Sequence, residues 1–102
     1  MDIPALTGSQ KSRLRALGQR MEPTIKVGKD GMTPAIVADL GRQLGAHELV
    51  KLRFAGLPRD ERAALCDRLA AETGGMCVGS VGQTALFFVR AAGAKSILAV
   101  GK

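Results

Sequence analysis

The stretch Thr24-Ile25-Lys26-Val27 ends at Gly28-Lys29-Asp30-Gly31, and after Met32 a helix start follows at Thr33-Pro34. A strand hands the chain to a helix through a tight basic loop, so a sheet and a helix packed on it must share this corner. Such a corner leaves backbone N–H groups free at the positive end of a helix, which suits a phosphate.

The remaining elements follow from capping and periodicity. Thr7 and Gln10 stand at capping-box spacing, so a first helix is predicted from about Gly8 to Leu17, with Gly18 as its stop. Leu14 and Leu17 mark its inner face, and Lys11, Arg13 and Arg15 spread around the rest. Strand one covers Thr24 to Val27. A second helix runs from Pro34 to about Leu44, with Ile36, Val37, Leu40 and Leu44 as its apolar stripe and Gly45 as its end. Strand two is Glu48 to Phe54, where Val50, Leu52 and Phe54 alternate with Lys51 and Arg53, giving one apolar and one cationic face. Gly56-Leu57-Pro58 turns into a third helix reaching Thr73, closed by Gly74-Gly75.

Two further strands, Met76 to Val81 and Thr84 to Arg90, are joined by Gly82-Gln83, with glycine where a type II′ turn requires it. Both alternating faces of Thr84 to Val89 are apolar, which predicts a strand covered on both sides, the first helix lying over the second face. Ala91 to Lys102 shows no clear period and reads as a mobile or partner-dependent tail. The order is αβαβαββ. Right-handed crossovers and a final hairpin make the four-stranded sheet mixed, packed by helices in an α/β fold of the two-layer α+β kind.

With 102 residues, 46% of them apolar, the chain is expected to form one domain over 1–102, its core spanning about 6–90, without help from metal or disulfide. No apolar run approaches the roughly 20 residues of a membrane span, and Met1-Asp2-Ile3-Pro4 lacks a signal-peptide pattern, so a soluble, cytoplasmic monomer with no membrane partner is expected. Fifteen Lys and Arg against nine Asp and Glu give a charge of +6, which favours a polyanionic partner.

Enzymatic constellations are mostly absent. Neither a Walker motif nor a GxGxxG fingerprint is present, and Asp60 and Glu61 read as first-turn acids of the third helix. His47, the sole histidine, reads as structural or incidental, with an RNA contact as the alternative, and Cys66 and Cys77 read as reduced, buried thiols without metal-site spacing, with a disulfide or metal role as the alternative. No cofactor, metal or small-molecule substrate is implied. The glycine loop gains weight from its setting: it follows a strand, precedes a capped helix, and is entered between Lys26 and Lys29. Glycines let backbone approach backbone, free N–H groups hold phosphate oxygens, and Lys29 adds charge, the logic of the GXXG loop in KH domains. Phe54, Phe87 and Phe88 are the only aromatics and look like core, which points to backbone and shape recognition rather than base stacking.

The pattern Leu17-x5-Pro23-x-Ile25-x-Val27-Gly28-x-x-Gly31-x-Thr33, followed by His47-Glu48-Leu49-Val50-Lys51-Leu52-Arg53, Glu72-Thr73-Gly74-Gly75 and Val81-Gly82-Gln83-Thr84-x-x-x-Phe88-x-Arg90, resembles the CRM domain, specifically its stand-alone bacterial YhbY-like members. The likeness runs from about Leu6 to Arg90. It implies a fold akin to KH domains and to the C-terminal domain of the third translation initiation factor. It also implies association with rRNA in precursors of the large ribosomal subunit. On this resemblance the RNA-contacting loop falls on Gly28, Lys29, Asp30 and Gly31, the basic strand on Lys51 and Arg53, and a closing basic residue on Arg90. A Lys or Arg usually follows the hairpin glycine, where this chain has Gln83.

The expectation is therefore a non-catalytic, RNA-binding protein of ribosome assembly. Its contacts come from Lys26, Gly28, Lys29, Asp30, Gly31, Lys51, Arg53 and Arg90, with Lys11, Arg13 and Arg15 widening the surface. The alternative is a protein-interaction adaptor in translation whose charge serves solubility or steering.

Overall fold

The computed structural model describes residues 7–89. Along them run α1 (Gly8–Gln19), β1 (Ile25–Val27), α2 (Pro34–His47), β2 (Leu49–Phe54), α3 (Arg59–Thr73), β3 (Met76–Val81) and β4 (Thr84–Phe88). The expected αβαβαββ order and mixed four-stranded sheet are present, with strand order β1-β2-β4-β3. Arg90 and the segment from Ala91 to Lys102 lie outside the described residues.

β1 pairs with β2 in parallel, and β4 pairs antiparallel with both β2 and β3. The hairpin thus folds its second strand back into the gap between β2 and β3, which gives β4 a ladder on each edge. Its Gly82 has φ +55 while Gln83 has none of that positive φ, the combination that defines the expected type II′ turn.

Side-chain alternation splits the interior in two. Ile25, Val27, Val50, Leu52, Phe54, Ala85 and Phe87 face α2 and α3, meeting Leu40, Leu44, Cys66 and Leu69. Leu49, Val78, Leu86 and Phe88 face the other way and meet Leu14 of α1. So α1 does cover the second face, adding a partial third layer to the expected sheet-and-helix stack. Phe54, Phe87 and Phe88 are fully buried, which at about 1.5–3 kcal/mol each makes them main sources of cohesion rather than stacking platforms.

Helix ends depart from expectation at two glycines. Gly18 lies inside α1, which continues to Gln19 and is capped at Arg20. Gly45 lies inside α2, which continues to His47 and reverses at Glu48, a buried residue with φ 68. The Glu48 N–H donates to Leu44 O at 3.0 Å and its carbonyl accepts from Val89 N–H at 2.9 Å. These backbone bonds hold a non-glycine residue where a glycine was expected to act. At α3 the expectation holds, since Gly74 is left-handed at φ 78.

Gly18 has a different task. A Cβ built there would lie 2.3 Å from Cδ1 of Leu86, so the absence of a side chain is what lets α1 approach β4. Gly18→Ala should therefore destabilise the protein by about 1–3 kcal/mol in urea unfolding, through overpacking. Gly45→Ala, with nothing within 4 Å of the added carbon, should stabilise it by about 1 kcal/mol through helix propensity.

Candidate nucleic-acid interface

Because β1, β2 and β3 run in one direction, their C-terminal ends meet at one end of the sheet. Phe54 N–H donates to Gln83 O at 2.6 Å and Ala55 N–H to Val27 O at 2.8 Å, so the glycine loop, the turn after β2 and the hairpin are neighbours there. In open α/β sheets this end is where ligands gather.

The glycine loop closes on itself, with Gly31 N–H donating to Gly28 O at 2.9 Å and Gly31 at φ +68. Among the described residues nothing bonds the N–H groups of Lys29 and Asp30, and both side chains are exposed. The helix terminus contributes less than the sequence suggested. Pro34 has no N–H, and the Thr33 hydroxyl already accepts from Ile36 N–H at 3.2 Å. The phosphate-sized donor pair is therefore in the loop itself, with Lys29 beside it.

The strand cations separate into two kinds. Lys26 lies opposite Arg53 in the parallel register, and each sits between residues that point into the α2–α3 core, so both project from the opposite face. Both are exposed, and among the described residues neither has a hydrogen-bond or ion-pair partner. Lys51 is one step further along that face and differs. Its ammonium donates to Gly18 O at 3.1 Å and Met21 O at 3.2 Å, closing the C-terminal end of α1.

The helix-one cations are not gathered at the loop. Arg15 Nε donates to Val78 O at 3.1 Å and its side chain covers Gly79, which puts this part of α1 over β3. Gly18, one turn on, reaches β2 through Lys51. Lys11 and Arg13 precede Arg15 and so lie on the β3 side of the sheet, whereas the glycine loop leaves β1 at the opposite edge. Between α1 and the uncovered end of the sheet is a cleft of ≈ 470 Å³ lined by Arg15, Lys51, Gly79, Val81 and Thr84.

The profile of the CRS1 / YhbY (CRM) domain matches residues 6–88. A protein of Pseudomonas aeruginosa named a probable RNA-binding protein is 38% identical over 84 residues, 82% of this chain and 81% of its own length. One of Haemophilus influenzae, named an RNA-binding protein, is 27% identical over 84% of this chain and 87% of its own. The solution structure of SAV1595 from Staphylococcus aureus superposes with a TM-score of 0.78 at 25% identity, covering 89% of this chain and 95% of that one. This chain belongs to the CRS1 / YhbY (CRM) domain family.

Within this CRM domain the position after the hairpin glycine is Gln83, and its surroundings explain what the substitution does. With its amide oriented to satisfy both groups, Gln83 accepts from Arg62 Nη1 at 2.8 Å and donates to Phe54 O at 3.3 Å. Arg62 also donates to Leu57 O at 2.7 Å. A cation from α3 is thereby held at the hairpin. Sequence reading missed Arg62 and its neighbour Arg59, because both fall in the polar part of a helix pattern and only the fold carries them to the strand ends. His47 is exposed beside an apolar groove formed with Leu17, Met21 and Leu49, away from this end.

Among the described residues no group of three or more His, Cys, Asp or Glu could hold a metal ion, and no helix is long and apolar enough to cross a membrane.

Lys51 and Lys26 should therefore behave differently when truncated. Lys51→Ala removes two charge-assisted bonds to a helix end and should cost about 1–2 kcal/mol of stability by chemical denaturation. Lys26→Ala should leave the unfolding midpoint unchanged.

Proposed function

We propose that this protein is a non-catalytic RNA-binding protein that associates in the cytoplasm with rRNA of the large-subunit precursor and assists ribosome assembly. The observation that carries this reading is the adjacency of unpartnered donors: the Lys29 and Asp30 N–H groups, the Lys29 ammonium, and the Lys26–Arg53 pair. Phosphate oxygens lie along a nucleic-acid strand, and a loop with free N–H groups beside paired cations matches them without reading base edges. The names of the relatives support the class of ligand, and the resemblance to YhbY-like proteins supports ribosomal RNA in particular. The three phenylalanines are buried, which favours contact with the backbone and shape of folded RNA over stacking on splayed bases.

Asp30 fits this reading as an exposed residue whose N–H, rather than its carboxylate, faces the ligand. Arg62 and Arg59 extend the cationic line toward the hairpin.

Filter binding to structured rRNA fragments across a salt series tests the reading. Lys29→Ala should reduce the slope of log K against log salt by about 1, and Lys26→Ala and Arg53→Ala by similar amounts. Gly28→Asp should abolish binding with unchanged melting, because Gly28 has no positive φ and open space around it. Gly31 is unsuitable for that test, since its φ of +68 would confound binding with strain. Absence of RNA binding at about 50 mM salt would refute the proposal and leave the adaptor reading.

A further inference from the structure

Two groups outside the proposed interface are brought together by the fold. Cys66 is on the inner face of α3, Cys77 is in β3, and both are free thiols. They line one cleft of ≈ 600 Å³ between α3 and the hairpin, together with Arg59, Arg62, Asp67 and Ser80. Cys66 is buried and Cys77 is half-buried. The register of β3 slips between Cys77 and Gly79, and the Cys77 thiol reaches Gly79 O at 3.7 Å across that bulge.

Cys66 belongs to the core between the sheet and α2–α3, and Cys77 packs against that same cluster. A hydrogen bond from the Cys66 thiol lowers the pKa of Cys77 to about 7, against the effect of burial. The same bond, with desolvation, pushes Cys66 well up. Asp67 acts to keep both thiols protonated, and Arg62 acts on Cys66 in the opposite sense. Cys77 is thus the more open of the two thiols, and Cys66 is sheltered in the core on the same cleft. That is the arrangement of an attacking cysteine and its resolving partner.

We propose that Cys66 and Cys77 form an oxidisable dithiol site whose substrate is a hydroperoxide, closing reversibly to a disulfide that joins α3 to β3. The Cys77 thiolate attacks one peroxide oxygen, an S–O bond forms and the O–O bond breaks. The departing oxygen takes a proton from solvent and leaves as water or alcohol. The Cys66 sulfur then attacks Cys77, the S–O bond breaks, and the hydroxide leaves as water with the Cys66 proton. Two thiols give up two electrons and the peroxide takes both. An external dithiol reverses the closure by exchange.

The full-length protein treated with hydrogen peroxide tests this. The free-thiol titre should fall from two per chain to zero, the mass should drop by two hydrogens, and peptide mapping should join the Cys66 and Cys77 peptides within one chain. Dithiothreitol should restore both thiols. Cys66→Ser should stop at a sulfenic acid on Cys77 that dimedone traps, whereas Cys77→Ser should give no dimedone adduct. Retention of both thiols, links found only between chains, or equal dimedone labelling of the two variants would overturn the proposal. The wild-type linkage map decides the matter even if a variant folds poorly.

Discussion

The insertion of β4 between β2 and β3 is the constraint on which the rest depends. A central strand with Ala85, Leu86, Phe87 and Phe88 all buried has no solvent face, so each side of the sheet must receive a helix. Ala85 and Phe87 are covered by α2 and α3, Leu86 and Phe88 by α1. Coverage on the α1 side is incomplete, because a single helix crosses a four-stranded sheet. The uncovered end is where the parallel strands finish and where the glycine loop begins. A packing requirement at the centre of the sheet thus fixes which end stays open.

Close approach of α1 has its own chemical cost. A helix end brought against a sheet carries carbonyls that have lost water, and they need donors. Lys51 serves Gly18 and Met21 from β2, while Arg15 serves Val78 of β3 from α1 itself. The Arg15 stem packs over Gly79, so its position is set by packing as well as by charge. The glycine at position 18 and the lysine at position 51 belong to one arrangement, the first allowing the approach and the second adding a charged donor to the carbonyls at the helix end.

Much of this was legible in the sequence because local signals agreed with the tertiary outcome. The Thr7–Gln10 capping box, the Thr33-Pro34 start, the Gly74 stop and the Gly82-Gln83 turn each act within a few residues, and each is where it was expected. The double-sided apolarity of Thr84 to Val89 even disclosed that a helix must lie on the second face. Gly18 and Gly45 misled because a glycine in a sequence does not reveal whether it supplies a left-handed turn or merely space. Gly18 supplies space against Leu86, sixty-eight residues away, and the left-handed turn after α2 falls to Glu48, held by Leu44 and Val89. Arg59 and Arg62, and the meeting of Cys66 with Cys77, depend on how α3 lies across β3, which no local signal encodes.

The distinction between carried charge and available charge follows from the same contacts. A net charge of +6 treats every cation alike, yet Lys51, Arg15 and Arg62 already donate to backbone carbonyls inside the molecule. An external phosphate must compete with those bonds, whereas Lys26, Lys29 and Arg53 face water and would give up only hydration. Composition therefore overstates the cations open to a ligand. Lys26, Lys29 and Arg53 lie along β1, its loop and β2, at the edge opposite Lys11, Arg13 and Arg15 of the first helix. The Lys29 and Asp30 N–H groups, unlike a side chain, cannot turn away, because the Gly28–Gly31 turn fixes the backbone that carries them.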